Sequence, residues 1–280
     1  MESPLTEEAS QVVYRLPNLR SLSVDVERET SLPSASLPNL TDLTITCDDE
    51  DSWPRLFHGA TLGELRSVTF CPRSERLGGF LGAFEKAALS SSIQNTLSML
   101  YLFTPYSWNP NYSSLLPFTQ LVTLIIESSC DGGCSSRVDD DMIISLSRAM
   151  PKLGILRLGD APCGKISTGV TIKGLVALAH HCADLSFLRI HFQVASLSGP
   201  PAILRTDCAL TELEVGDTPV PEGSALAIVL TLLHILPRLD YIGFTDEGWE
   251  EVENPINHSE RVIDRSGTSA NVVVTYSLIF

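Results

Sequence analysis

A short pattern of apolar positions recurs along the chain. It consists of an apolar residue, two variable residues, a second apolar residue, one variable residue and a third apolar residue. The pattern occurs nine times, and its copies begin at Leu19, Leu40, Leu65, Leu97, Leu121, Leu153, Leu185, Leu210 and Leu239. The copies begin 27.5 residues apart on average, which indicates a chain built from repeated units.

Each copy predicts a β-strand, because its fourth and sixth positions alternate with a variable fifth position at the period of 2 of a half-buried strand. Between copies the apolar residues recur at helical spacing, most clearly in residues 7–19, 139–153, 171–185 and 224–239. Thr171 is placed to cap one of these helices, and three aspartates stand where another begins. Pro17, Pro151 and Pro237 stand two residues before the next copy of the pattern, where a proline ends a helix.

One strand and one helix cannot bury their own apolar faces, so stacked units must share a continuous core. The predicted fold class is α/β, a leucine-rich-repeat solenoid with a curved parallel sheet on its concave side and helices on its convex side. Residues 1–280 are predicted to form a single domain, with about nine repeats over 5–245 and a C-terminal cap over 246–280. Within the cap, residues 272–280 are predicted to form a strand that covers the last repeat.

Composition and charge restrict the partners. Apolar residues make up 44% of the chain, enough for a large core, and 34 acidic residues against 19 basic ones give a net charge of −15. Such a charge repels phosphate backbones and anionic lipids, so we predict neither a nucleic-acid partner nor a membrane partner. No apolar run approaches the ~18 residues of a membrane span. The acidic N-terminus does not resemble a signal peptide, and seven scattered cysteines suggest reduced thiols, so the predicted localisation is cytoplasmic or nuclear.

The strand pattern, the convex helix and the junctions "MPKL", "CADL" and "LPRL" together resemble the ribonuclease-inhibitor-like leucine-rich repeats of F-box proteins, especially the divergent set found in fungi. The resemblance covers about residues 5–245 and implies a platform that holds a protein substrate for a ubiquitin ligase. The asparagine or cysteine that the family has nine residues into each repeat is missing, so no regular side-chain ladder is expected there. No F-box is visible before Leu19, so contact with a ligase-core adaptor is expected only if an F-box lies outside this chain.

Two motifs suggest chemistry without completing a site. Residues 159–166 match a phosphate-binding loop except at Ile166, where a hydroxyl residue is needed, and Pro162 removes a backbone N–H. Cys130 and Cys134 have a spacing near that of zinc ligands but no second pair nearby. We therefore predict no enzymatic activity, no cofactor and no metal. A nucleotide hydrolase that uses residues 159–167 is the enzymatic alternative.

The strand period also predicts a binding face. The third, fifth and seventh positions of each copy should face solvent on the concave side, because side chains alternate along a strand. These positions are small and mildly polar in the first three repeats and become large afterwards, as is typical of interfaces. The predicted partner-binding residues are Met99, Tyr101, Phe103, Ile125, Ile155, Arg157, Phe187, Arg189, His191, Glu212, Glu214 and Tyr241.

The alternative is that the same residues have only a structural role and bind no partner. The insertion over residues 104–114, with Tyr106, Trp108 and Tyr112, is predicted either to form an adaptable rim or to cover the aromatic residues as a lid. Arg157 and Arg189 would then only offset Glu212 and Glu214 on neighbouring strands. The predicted function is a protein-interaction module, in particular an F-box-type substrate-recognition domain that binds a protein on its concave face. A stand-alone regulatory or scaffold protein with no ligase role is the alternative.

Overall fold

The strands and helices follow the repeat of the sequence. The computed structural model describes residues 16, 18–26, 37–47, 62–72, 80–104, 111–128, 138–159, 169–194, 206–216, 218–244, 249 and 252. In these ranges the strands are β1 (Ser21–Val26), β2 (Asp42–Cys47), β3 (Ser67–Pro72), β4 (Met99–Thr104), β5 (Thr123–Ser128), β6 (Ile155–Leu158), β7 (Phe187–Ile190), β8 (Glu212–Gly216) and β9 (Tyr241–Phe244). The helices are α1 (Phe80–Ser91), α2 (Asp140–Ala149), α3 (Ile172–His181) and α4 (Ala225–Ile235), with short 3-10 helices at Ile93–Asn95 and Tyr112–Leu115.

The strands form one sheet in sequence order, from β1 to β9, and every neighbouring pair is parallel. The register aligns equivalent positions of successive repeats, as in the pairing of Phe187 with Glu212 and of Glu212 with Tyr241. It shifts once, between Glu214 and Gly216, where β8 meets β9. These pairings confirm the predicted α/β class and the parallel stacking of nine repeat strands.

The core lies on one face of the sheet. Most fourth and sixth positions of the pattern are buried, as Leu43 and Ile45 of β2 show, while the positions between them keep some exposure. Buried residues of the helices, such as Ile143 of α2 and Leu178 of α3, belong to the same apolar cluster. The helices therefore cover the face with the fourth and sixth positions. We call the opposite face, which the sequence predicts to be concave, the open face.

Backbone carbonyls at the second position of the pattern bind successive repeats together. The carbonyl of Arg20, for example, accepts hydrogen bonds from the backbone N–H of Thr41 and of Asp42, at 2.8 and 3.0 Å. A side-chain hydroxyl at the same position of the next repeat adds a further bond of 3.0 to 3.2 Å in four cases, namely Thr41 to Arg20, Ser98 to Arg66, Ser186 to Gly154 and Thr211 to Ser186. The ladder of this solenoid is thus made of hydroxyl groups that precede the strands.

Buried thiols extend this cross-repeat bonding. The Sγ of Cys182 is buried and lies 3.5 Å from the carbonyl oxygen of Met150 in the preceding repeat. One repeat later, Cys208 places its Sγ 3.7 Å from the carbonyl oxygen of Leu185. Burial raises the pKa of Cys182 to about 12 and also raises the pKa of Cys208. Both thiols therefore stay protonated and act as small core residues with a weak donor.

Three of the four predicted helices are confirmed, as α2, α3 and α4. The side chain of Thr171 caps α3 by accepting from the N–H of Lys173 at 3.2 Å, as the sequence predicts. Asp139 caps α2 by accepting from the N–H of Met142 at 2.9 Å. The fourth predicted helix, in residues 7–19, falls largely outside the described residues.

Helix α1 was not predicted. It buries Leu81, Phe84 and Ala88, and the ring of Phe84 stacks on that of Phe118 with centroids 5.0 Å apart. The helix has no acidic residue in its first turn and no basic residue in its last, so its ends carry none of the usual sequence signals. Packing against the core therefore accounts for its formation better than local preference does.

Several predicted features lie at the edges of the described ranges or outside them. Tyr112 is buried, so its predicted place in an adaptable rim is wrong, whereas Tyr106 and Trp108 lie outside the described residues. Residues 160–168, Cys130, Cys134 and the predicted strand over 272–280 lie outside them as well. Trp249, in the predicted cap, is buried and donates its indole N–H to the carbonyl of Thr218 at 2.6 Å.

In the described part of the chain, no helix has the length and apolar character that crossing a bilayer requires.

Candidate partner-binding face

Two rows of side chains cross the open face from β4 to β9. The third positions form one row through the register pairs, Met99, Thr123, Ile155, Phe187, Glu212 and Tyr241. The fifth positions form the other, Tyr101, Ile125, Arg157, Arg189, Glu214 and Gly243. Neighbouring strands lie about 4.8 Å apart, so adjacent members of a row are within side-chain contact. The register thus brings most of the predicted binding residues side by side.

The apolar members of these rows, together with Phe103 at the seventh position of β4, form a partly exposed surface. Met99 is 36% exposed, and the others retain intermediate exposure at positions where the helices do not cover them. We call this surface the apolar band and define it as Met99, Tyr101, Phe103, Ile125, Ile155 and Phe187. At the far end of the sheet, Tyr241 adds an aromatic ring that is 46% exposed.

The carboxylate of Glu127, at the seventh position in β5, joins the apolar band to the charged residues. It accepts a hydrogen bond from the hydroxyl of Tyr101 at 2.7 Å and pairs with the guanidinium of Arg157 at 3.4 Å. A guanidinium nitrogen of Arg189 lies 4.0 Å from the same carboxylate. The Glu127 side chain is only 13% exposed, so these interactions are weakly screened by solvent. The predicted set of binding residues did not include Glu127.

The two arginines are held by other groups on the face as well. The guanidinium of Arg157 lies over the ring of Phe187, with Cζ 4.4 Å from the ring centroid. The Nε of Arg189 donates to the carboxylate of Glu214. The structural alternative is therefore partly right: Arg189 does pair with Glu214, but Arg157 pairs with Glu127 and not with Glu212.

His191 differs from its predicted position. The sequence places it on the solvent side of the sheet, whereas it is 8% exposed and follows the last residue of β7. A Cβ atom added to Gly216 on one side would overlap its ring, and one added to Gly159 on the other side would lie 3.7 Å from it. Both glycines have positive φ, 61° and 89°. The prediction of an exposed His191 is wrong because glycines of both neighbouring repeats leave space that its ring fills.

A small cleft of about 190 Å³ lies at the β7–β9 end of the open face. Two glycines leave room for it, while charged and aromatic side chains surround it. Its lining residues are Arg189, His191, Glu214, Gly216, Tyr241, Gly243 and Phe244. The cleft has the size of a single side chain rather than that of a cofactor, since small-molecule sites usually span ~300 Å³ or more.

Elsewhere in the part of the chain that the structure describes, titratable side chains do not form a second site. Among the described residues, no three His, Cys, Asp or Glu side chains come together in a way that would hold a metal ion. His180 and His181 end α3, where the sequence predicts favourable interaction with the helix dipole. The pKa of His181 is nevertheless lowered, by burial first and then by His180 and Arg148, so its surroundings disfavour the cation.

No protein-family model matches the chain. The search of curated proteins gives no match either. Functional conclusions therefore depend on the geometry of the open face and on the repeat pattern.

Proposed function

We propose that this protein is a protein-interaction module that binds a partner on its open face. The observation that carries the proposal is the apolar band, which runs across four neighbouring strands, β4 to β7, on the face away from the helices. Covering apolar surface contributes roughly 25 cal/mol per Å², and contiguous exposed apolar patches of this kind mark interaction sites.

The charged residues of the face support the same function. Arg157 is fixed between Phe187 and Glu127, and Arg189 is fixed by Glu214. Side chains that are already ordered lose less conformational entropy on binding, so a rigid face of this composition favours association. Aromatic residues and arginine are also the residue types that most often dominate binding energy at protein interfaces.

We further propose that the partner is a substrate of a ubiquitin ligase and that this domain is the recognition element of an F-box-type protein. The support is the resemblance of the repeat and its junctions to that family, together with the parallel repeat architecture. Ubiquitin transfer would then be carried out by other subunits. Co-purification of ligase-core subunits with the natural full-length protein supports this role, whereas a stable partner without them identifies a stand-alone scaffold.

Affinity purification with quantitative mass spectrometry tests the binding face. The wild-type chain is compared with a Tyr101→Ala, Phe187→Ala, Arg189→Ala variant and with an Ile125→Thr, Ile155→Thr variant. The second variant keeps β-branched residues in the strands and disturbs no ion pair. The control is Leu226→Gln, Leu230→Gln on α4, where the two leucines are 53% and 49% exposed.

We expect both open-face variants to lose the main partner by tenfold or more, and the α4 control to retain it. Circular dichroism and thermal unfolding establish that each variant is folded. An unchanged partner profile in folded open-face variants contradicts the proposed function, as does loss of the partner in the α4 control alone.

A further inference from the structure

The cationic groups of the open face are already neutralised within the molecule. Arg157 pairs with Glu127, and Arg189 pairs with Glu214. Neither arginine is therefore the natural receptor for an acidic partner. Over the described third, fifth and seventh positions, the charged side chains are two guanidinium groups and five carboxylates, those of Asp25, Asp42, Glu127, Glu212 and Glu214. The face is thus net negative, as is the chain at −15.

Glu212 differs from the other carboxylates at this end of the face. It is exposed, and among the described residues its side chain forms no ion pair. Its register neighbours are aromatic on both sides, Phe187 on β7 and Tyr241 on β9. A carboxylate between two aromatic rings offers both charge and π surface to a cation.

Tyr241 has the more available of the two rings. Phe187 already carries the guanidinium of Arg157, which shows that this row accommodates a cation over an aromatic ring. Tyr241 is 46% exposed, and its ring extends over Gly243, where a Cβ atom would lie 3.3 Å from Cε1 and 3.5 Å from the hydroxyl. The ring therefore leans over Gly243 toward the side chain of Glu214, at the rim of the cleft, and Glu212 is the register neighbour of Tyr241 on β8.

We infer that the partner presents a lysine or arginine side chain that binds between the carboxylate of Glu212 and the ring of Tyr241. This inference rests on the proposed function and specifies the chemistry of the partner. Charge complementarity favours it, because a basic segment is attracted by the net negative face and finds there an exposed carboxylate. The same field makes a nucleic acid an unsuitable occupant.

The register also sets a spacing for the partner. Ile155 of the apolar band and Glu212 lie in the same row, two strands apart, which is about 10 Å. A peptide that crosses the strands in extended form advances about 3.3 Å per residue. A partner segment that crosses the face therefore places its basic residue about three positions from an apolar residue bound over Ile155.

A phage-displayed library of random 12-residue peptides, panned against the wild-type chain, tests the inference. The best peptides are synthesised and their affinities are measured by fluorescence anisotropy at two salt concentrations. The variants are Glu212→Lys and Glu212→Gln. The matched control is Asp42→Lys, which makes the same charge change at an exposed third position on β2.

We expect enriched peptides with a lysine or arginine three positions from an apolar residue. Glu212→Lys should weaken their binding by about tenfold and reduce its salt dependence, with a smaller loss for Glu212→Gln. Asp42→Lys should stay within about twofold of wild type.

The two proposals fail in different ways. The inference is overturned if the enriched peptides show no preference for basic residues and bind Glu212→Lys as tightly as wild type, while their binding still depends on Ile125 and Ile155. The proposed function stands in that case. If no enriched peptide loses binding in the Ile125→Thr, Ile155→Thr variant, both are overturned.

Discussion

The guanidinium of Arg157 lies over the ring of Phe187, with Cζ 4.4 Å from the ring centroid, on neighbouring strands of the open face. In the register of β6 and β7, Arg157 stands directly opposite Arg189, an arrangement of like charges that is unfavourable by itself. The carboxylate of Glu127 lies within 4.0 Å of both guanidinium groups and so offsets their repulsion. This carboxylate therefore links the charged residues of the open face.

Replacing Glu127 by glutamine should destabilise the fold. The change leaves the partly buried guanidinium of Arg157 without its paired carboxylate and no longer offsets the repulsion between Arg157 and Arg189, at a cost of about 1 to 3 kcal/mol in the free energy of unfolding. Urea unfolding followed by circular dichroism measures the change. Glu212→Gln is the matched control, and it should alter the free energy by less than about 0.5 kcal/mol because Glu212 is exposed. Equal stabilities of the two variants would contradict the proposed role of Glu127.

A second prediction concerns Asp140, which joins one repeat to the next. Although it begins α2, its carboxylate accepts from the N–H of Thr171 at 2.7 Å and of Gly174 at 2.9 Å, and from the hydroxyl of Thr171 at 2.6 Å. These bonds satisfy the N–H of Thr171 just before α3 and add to the 3.1 Å bond that the N–H of Gly174 donates to the carbonyl of Thr171. Asp140→Ala should therefore lower the free energy of unfolding by about 2 kcal/mol.

Asp141 provides the control for this substitution. It also lies in the first turn of α2, but its side chain is exposed, so Asp141→Ala removes only a favourable interaction with the helix dipole, worth less than about 1 kcal/mol. Chemical denaturation of the two variants distinguishes the roles. If Asp140→Ala costs no more than Asp141→Ala, the bond between repeats does not contribute to stability.

A third prediction concerns alkaline pH. Burial raises the pKa of Tyr112 well above its ordinary value, so the folded protein keeps the phenol protonated where the unfolded chain releases its proton. Stability from this group is complete below about pH 10 and falls by up to about 1.4 kcal/mol per pH unit above it.

Tyr112→Phe removes this titration with little change in packing. The wild type and the variant should have similar free energies of unfolding at pH 8, and the wild type should lose stability relative to the variant between pH 10 and 11. Urea titrations across this range provide the comparison. Parallel pH profiles for the two proteins would show that Tyr112 ionises equally in both states.

The sheet could be predicted from sequence because its signal is repeated nine times. Each copy alternates apolar and polar residues in the same phase, so a wrong assignment of one copy would not change the predicted order of the strands in the sheet. Helix α3 was predictable because Thr171 marks its beginning and apolar residues follow at helical spacing. Helix α1 lacks capping and charge signals and depends on contacts such as that between Phe84 and Phe118, which are distant in sequence.

The open face was only partly predictable for a related reason. Strand period gives the face on which Ile155 and Phe187 lie, but it does not show how deeply a side chain is buried there, so the burial of His191 between two glycines was missed. It also gives no information about which charges pair. Arg157 reaches Glu127 because β5 neighbours β6, whereas Glu212 lies two strands away on β8.

The most direct test of the account is site-specific photo-cross-linking to the natural partner. A benzophenone amino acid is placed at Ile155, in the centre of the apolar band, and in a second protein at Leu230, on the helix side of the sheet, where the side chain is 49% exposed. We predict that the Ile155 position yields a cross-linked partner on irradiation and that the Leu230 position yields none. Cross-linking from Leu230 with none from Ile155 in a folded protein would contradict the account.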